Sequence, residues 1–219
     1  MDGTILDTER VSRVVWRLAA AELGLMFSDV LSDELVGLNA TSCRILLREH
    51  FGTEGRAEEL SALAQIRYRE HLDRHGVPQK AGLEPLLAFL RRHDIPVAVA
   101  TSTISELASH KLSRAGLLDR FPVVVGGDQV AHGKPAPDIF LQAASRLGVA
   151  PADCVAVEDS SPGLMAASAA GMIPLLIPDL RTPPPDVRAL AYRVLASLDQ
   201  VPDLIAELLP SRAVSNTPA

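Results

Sequence analysis

Two hydrophobic rhythms divide the chain. From about Glu9 to Leu25, the apolar residues Val11, Val14, Val15, Leu18, Ala19 and Leu23 recur at helical spacing. Asp7 or Thr8 is placed to cap the start of that helix and Gly24 to end it. Further helices are predicted over residues 28–37, 41–51 and 56–75, closing near Gly37, Gly52 and Gly76, and no strand is predicted between Glu9 and Val77. After Gly82 the rhythm changes. Strand-length apolar runs at 95–101, 122–125, 154–157 and 173–177 alternate with amphipathic helices at 83–93, 105–115, 137–147 and 162–170. That alternation predicts an α/β fold, a parallel sheet covered on both faces. Residues 182–185 (Thr-Pro-Pro-Pro) are expected to form a stiff surface connector, 201–209 a last helix and 211–219 a frayed tail. Residues 1–9 and 78–219 therefore read as an α/β core, and residues 10–77 as an all-helical unit inserted early into it.

A chain of 219 residues can bury a full core plus a modest second unit. Its net charge of −6 argues against nucleic acid or an anionic membrane surface as a partner. Cys43 and Cys154 belong to no Cys-x-x-Cys or Cys-x-x-His pair, which disfavours a disulfide or zinc site and fits a reducing cytosol. An acidic residue follows Met1, no signal peptide is read, and the apolar runs are far short of a membrane span. The expectation is a cytoplasmic protein, a monomer or weak homodimer. Lys80, Lys111 and Lys134 are the only lysines, which singles each of them out for attention.

Ligands of open α/β sheets bind at the carboxyl ends of the strands, so the polar residues there carry the candidate chemistry. Thr101, Ser102 and Thr103 follow one strand, and their hydroxyls and free backbone amides at a helix start suit phosphate oxygens. Gly126-Gly127-Asp128 follows another and leads to His132-Gly133-Lys134-Pro135, where a constrained turn offers Lys134 as a fixed positive charge. Glu158 and Asp159 follow a third, and paired carboxylates there suit a hard divalent ion such as Mg²⁺. Asp2, in Met1-Asp2-Gly3-Thr4, is placed for general acid/base work. Each signal is weak alone; four in this order at successive strand ends are not.

With these residues the sequence resembles the haloacid dehalogenase superfamily, in its branch with a small helical cap, which includes phosphoglycolate phosphatase, sugar-phosphate phosphatases and β-phosphoglucomutase. The first motif of that family, Asp-x-Asp-Gly-Thr, is matched by Met1-Asp2-Gly3-Thr4 without its leading Asp. The second is matched by 97–101, the third by Gly133-Lys134-Pro135-Ala136-Pro137 and the fourth by 158–163. The resemblance implies a Rossmann-like core with a cap domain. It also implies a Mg²⁺-dependent phosphatase of a small phosphorylated metabolite such as a sugar phosphate or phosphoglycolate, working through an aspartyl-phosphate intermediate. In that scheme Asp2 protonates the leaving group and then activates water. Thr101 and Lys134 hold the phosphoryl oxygens, and Mg²⁺ is held by the nucleophile, the backbone carbonyl of Asp2 and Asp159, with Glu158 at or near its shell. The nucleophilic Asp and the strand leading to it would lie upstream of Met1, so the 219-residue chain alone is expected to be nearly inactive.

Other branches are argued down by particular residues. The acids Asp2, Glu158 and Asp159 speak against metal-free dehalogenation. Residues 10–79 contain no lysine for a Schiff base, which disfavours phosphonate hydrolysis. β-Phosphoglucomutase carries a cap-hinge His four residues past the Thr of its Asp-Thr pair; that place is Ser12 here, leaving a mutase as the alternative enzyme. A phosphate-binding pseudoenzyme is the non-catalytic alternative. In the cap, Gly37-Leu38-Asn39, and Asn39 in particular, is the expected substrate contact. Asp7 and Thr8 read as helix capping, Trp16 and Tyr68 as helical core, and Arg44, Arg48, Arg67 and Arg69 as a solvated face.

Overall fold

The computed structural model describes residues 1–35, 38, 40–52 and 55–209. The expected Asn39 contact, its neighbour Gly37 and the expected tail at 211–219 lie outside them. Four helices come first: α1 (Thr8–Glu22), α2 (Asp29–Leu35), α3 (Ala40–Phe51) and α4 (Arg56–His75). No strand separates them among the described residues. α1 lies along α4, which also packs against α3. The stripe that α1 buries is Val11, Val15, Ala19 and Ala20, whereas Val14 and Leu18 point outward, so the apolar face is narrower than the sequence spacing suggested. α4 answers with Ala57, Leu60 and Ala64, small and branched residues one helical turn apart that let the two helices approach closely.

The remainder runs α5 (Leu83–Arg92), β1 (Ala98–Ala100), α6 (Ser105–Arg114), β2 (Val123–Val125), α7 (Asp138–Leu147), β3 (Val155–Glu158), α8 (Ser161–Ala169), β4 (Ile173–Leu176), α9 (Pro185–Arg188), β5 (Arg193–Val194) and α10 (Val201–Leu208). All the strands are parallel. β1 pairs with β2, opposing Val99 to Val124, and β3 pairs with β4, which pairs with β5. Because side chains alternate along a strand, the two sheets can be placed relative to one another. Val99, Val124, Val155, Val157 and Leu175 enter one apolar layer, and Ala98, Ala100, Val123, Val125 and Ala156 enter the other. The same two layers thus cover both sheets, which lie side by side. Lys134 joins the ends of β1 and β3 by reaching both the Ala100 carbonyl and Glu158, so those two strands present the facing edges.

Three sequence expectations change here. β1 is shorter than the predicted 95–101, since Pro96 has no N–H to offer a ladder. The proline run is not a connector throughout: Pro184 caps and Pro185 starts α9, as a ring with fixed φ and no N–H suits a first turn. β5 is only two residues long and both are exposed, too little apolar pattern to be seen in the sequence.

The chain passes between its α/β part and the helices at two places that run together. Leu6 forms an antiparallel bridge with Gln79, the Asp7 N–H donates to Pro78 O at 2.8 Å, and the Lys80 N–H donates to Ile5 O at 2.9 Å. Beside this hinge Lys80 Nζ donates to Asp179 Oδ1 at 2.6 Å, tying it to the turn that follows β4.

Candidate active site

A cavity of about 620 Å³ opens between the helical unit and the strand ends, and Asp2, Thr101, Ser102, Thr103, Lys134, Glu158 and Asp159 all line it. Sequence reasoning placed these residues at different strand ends; the fold brings them to one place.

The amino-terminal turn is built around Gly3. Its φ is +72°, and a Cβ there would lie 2.3 Å from Asp159 Oδ2, so only glycine allows the chain to pass over that carboxylate. Gly3 N donates to Leu6 O at 2.9 Å, and Ile5 and Leu6 return two N–H bonds to Met1 O, which fixes the turn. Thr4 Oγ1 then donates to Asp159 Oδ1 at 2.5 Å. Gly163 plays a matching part on the other side, since a Cβ on it would run into the Glu158 carboxylate.

Glu158 and Lys134 are both almost fully buried and form an ion pair; Ser160 Oγ donates to Glu158 Oε2 at 3.1 Å, and Phe140 lies with its ring centroid 4.7 Å from Lys134 Nζ. Burial opposes ionisation of Glu158, but the Lys134 ammonium outweighs it and holds the carboxyl below its ordinary value. Asp159 forms no ion pair among the described residues, and the more distant Lys134 acts on it only weakly. Burial, and then the charge of Glu158, push its pKa up to about 6. A positive charge beside such a carboxylate would favour its ionised form, and its oxygen donors suit a hard divalent ion.

Asp2 faces the other way. Its Oδ1 accepts from Thr8 Oγ1 at 2.6 Å and from Lys111 Nζ at 2.7 Å, and its Oδ2 accepts from Thr103 Oγ1 at 2.8 Å. Burial again works against the charge, but Lys111 and these hydroxyls more than offset it, so the carboxyl lies well below the usual range. The side chains of Asp2, Glu158 and Asp159 therefore do not converge as one set. Among the described residues, no group of three or more His, Cys, Asp or Glu side chains stands ready to hold a metal ion.

Several assignments are revised by this geometry. Thr8 does not cap α1: neither it nor Asp7 makes a side-chain cap bond, Asp7 pairs with Arg10, and Thr8 holds Asp2. The start of α6 is held by Asp128, whose Oδ1 accepts from the N–H and hydroxyl of Ser105 at 2.7 and 2.8 Å. Thr101 is buried and receives the Thr103 N–H on its hydroxyl at 3.2 Å. Trp16 and Tyr68 are cavity walls as well as core packing. Of the four cap arginines, Arg44 and Arg69 line the cavity, whereas Arg48 pairs with Glu58, and Arg67 with Glu22 and Glu70.

Sequence reasoning missed Lys111. It is 6% exposed on α6, contacts Asp2, and stands 5.0 Å from the centroid of the Tyr68 ring on α4. The one signal for it was the scarcity of lysine. With Lys80 and Lys134 it completes a set in which every lysine of the chain lies in an ion pair with an acid of the strand-end face. Glu9 was likewise overlooked; it lines the cavity from the first turn of α1, and burial, then Asp2 and Asp159, push its pKa up to about 7. Cys43 lines the cavity too, but burial and Glu9 push its thiol up to about 11, far from a thiolate nucleophile.

Comparison with known proteins agrees with this architecture. The sequence profile of haloacid dehalogenase-like hydrolases matches residues 1–171. Among curated relatives, the fructose-1-phosphate phosphatase YqaB of Escherichia coli is 36% identical over 174 residues, 78% of this chain and 90% of its own. A probable pseudouridine-5'-phosphatase of Drosophila melanogaster is 33% identical over 90% of this chain and 87% of its own. A bifunctional riboflavin kinase/FMN phosphatase of Arabidopsis thaliana is 32% identical over 82% of this chain, which spans only 47% of that longer protein. In three dimensions, a putative β-phosphoglucomutase from Thermotoga maritima superposes with a TM-score of 0.79 at 27% identity, over 95% of this chain and 97% of its own. With the profile match over most of its length and relatives above 30% identity, the chain belongs to the haloacid dehalogenase-like hydrolases.

Proposed function

We propose that the chain is the phosphate-handling part of a Mg²⁺-dependent phosphatase acting on a small phosphorylated metabolite, such as a sugar phosphate or phosphoglycolate. The observation that carries this reading is the meeting of Thr101, Lys134, Glu158, Asp159 and Asp2 on the wall of one cavity. The phosphatases among its relatives support it.

In this reading Thr101, the Ser102 amide and Lys134 hold the phosphoryl oxygens, and the Thr103 amide, which donates to the Thr101 hydroxyl, joins them only by turning from it. Mg²⁺ would be held by the Asp159 carboxylate and the Asp2 backbone carbonyl, with Glu158 behind them. Bound there, it would neutralise charge on the transferring phosphoryl group. The nucleophile would be a carboxylate immediately before Met1, on a strand filling the space between the edges of β1 and β3. Its oxygen attacks phosphorus and the P–O bond to the leaving group breaks. Asp2 gives its proton to the departing oxygen, so the product alcohol leaves neutral. Asp2 then takes a proton from water as that water attacks phosphorus, which releases inorganic phosphate and restores the nucleophile's carboxylate.

The resting geometry suits the second of these steps. Three donors hold Asp2 as an anion, ready to accept a proton; to act as the acid it must first let go of Lys111 and take up a proton from solvent. The likeness to β-phosphoglucomutases favours the mutase alternative, and one residue weighs against it: Ser12, four residues past Thr8 and not a histidine, lines the cavity.

The test is phosphate release from a panel of phosphorylated metabolites, with and without Mg²⁺. It compares the 219-residue chain with the same chain preceded by an apolar strand ending in Asp. Turnover by the longer form only, abolished by Asp159→Asn, is the expected result. Turnover by the 219-residue chain at a rate equal to that of the longer form would sink the nucleophile assignment, and Mg²⁺-independent turnover would sink the metal assignment.

A further inference from the structure

Lys111 is a buried cation with partners on two sides. Its ammonium donates to Asp2 Oδ1 at 2.7 Å and to the hydroxyl of Tyr68, whose ring centroid lies 5.0 Å from Nζ. Asp2 belongs to the turn that Gly3 makes, and Tyr68 to α4 of the helical unit. Beside this contact α4 and α6 are fixed to one another. Arg114 Nε of α6 donates to Leu72 O at 3.4 Å, and His110 Nε2 of α6 stands 3.2 Å from Asp73 Oδ1.

The arrangement differs from the other ion pair at the cavity wall. Lys134 also lies beside a ring, but Phe140 offers no hydroxyl, and in the proposed reaction Glu158 carries no proton. Asp2 does. It passes from base to acid and back within one turnover, and its three donors answer that change differently. The hydroxyls of Thr8 and Thr103 can turn and accept, so they hold Asp2 in either state. An ammonium only donates, and at 2.7 Å it favours the charged carboxylate. Lys111 therefore has to leave Asp2 for the acid step, and a buried ammonium without a partner is costly. The group in place to receive it is Tyr68, through its phenolic oxygen and the face of its ring.

Resting on the phosphatase reading of this cavity, we propose that Tyr68 is a positioning residue for leaving-group protonation, which takes Lys111 from Asp2 for the acid step and gives it back for the base step. The ammonium keeps its three protons throughout; the proton on Asp2 comes from solvent and goes to the leaving oxygen. Because Tyr68 stands on the helical unit, Asp2 can act as the acid only with that unit in place over the strand ends.

With only three lysines in the chain, the exchange can be followed directly in the 219-residue protein. Lysine isotopically labelled at its ε carbon gives one magnetic-resonance signal per residue, assigned from Lys80→Arg and Lys111→Arg. Asp2→Asn removes the charge that holds Lys111, and the Lys111 signal is expected to move upfield, towards the face of the Tyr68 ring. Adding Tyr68→Leu should abolish that move. A signal that stays in place in Asp2→Asn, or moves as far without the tyrosine, would overturn the proposal. Tyr68→Phe keeps the ring and its packing and carries a second test, in the longer form that supplies the strand and its Asp. There p-nitrophenyl phosphate, whose leaving group departs without a proton, is compared with the alkyl phosphate of the metabolite panel that turns over fastest. The ratio of kcat for the alkyl ester to kcat for the aryl ester should fall about tenfold in Tyr68→Phe, the worth of one hydrogen bond to a charged group, with KM for each little changed. A ratio equal to that of the wild type would leave Tyr68 a packing residue and sink the proposal. If the longer form turns over none of these esters, the phosphatase reading falls, and the lysine signals still decide whether Tyr68 receives Lys111.

Discussion

The two walls of the cavity are built on opposite terms. On the strand-end wall, Lys134 and Glu158 are almost fully buried, Thr101 is 3% exposed, and Gly3 and Gly163 pass so close to carboxylates that a methyl group would not fit. On the helical wall, Arg44 and Arg69 are exposed and Leu38 is 39% exposed. Groups that hold charge in a fixed geometry are placed where burial and pairing leave one arrangement. The exposed groups of the helical wall stand where a substitution costs little stability. Lys111 and Tyr68 stand at the seam: Lys111 is buried like the first set, Tyr68 only partly so, and both line the cavity.

The largest effect should come from breaking the strand-end wall. Lys134→Met leaves Glu158 buried without its cation, at a cost of about 3–5 kcal/mol. Denaturant unfolding followed by circular dichroism should show that loss, and a change under about 1 kcal/mol would mean the pair is not buried as described. Gly3→Ala comes next, because it combines a left-handed backbone, about 1–2 kcal/mol for a residue with a Cβ, with a collision against Asp159. It should also weaken any response of the melting temperature to Mg²⁺.

A smaller effect concerns pH. Glu9 and Asp159 have folded pKa values of about 7 and about 6, raised from ordinary carboxylate values. The folded chain therefore takes up their protons more readily than the unfolded one, and stability from these two groups rises as pH falls from 8 towards 5. Glu9→Gln should flatten that slope, and the Mg²⁺-induced rise in melting temperature should fade as pH drops through about 6, where Asp159 gains a proton. A slope unchanged in Glu9→Gln would show that Glu9 is not burdened as described. The smallest effect belongs to the helical wall. Arg69→Ala should alter unfolding free energy by no more than about 0.5 kcal/mol, which would sharpen the contrast with Lys134.

The same contrast explains what could be read from the sequence. Thr101, Lys134 and the Glu158-Asp159 pair stand at strand ends with turn residues beside them, so order along the chain was enough to group them. Lys111 and Tyr68 sit mid-helix, where an inward polar residue has the same spacing as a core residue. Only the packing of α4 against α6 shows that they meet Asp2. Thr8 looked like a cap because a hydroxyl at a helix start usually is one; its real partner comes from the turn that Gly3 makes. The helices of the cap were legible from their period, but which side of α1 is buried was not, since Val14 and Leu18 fit the spacing and face outward.

Calorimetric titration of inorganic phosphate into the 219-residue chain, in the presence and absence of Mg²⁺, tests the central claim most directly. If the strand-end wall is a joint phosphate and divalent-cation site, phosphate binds in Mg²⁺, binds at least about tenfold more weakly without it, and loses the Mg²⁺ advantage in Asp159→Asn. Phosphate binding that is the same with and without Mg²⁺, or unaltered in Asp159→Asn, would contradict it.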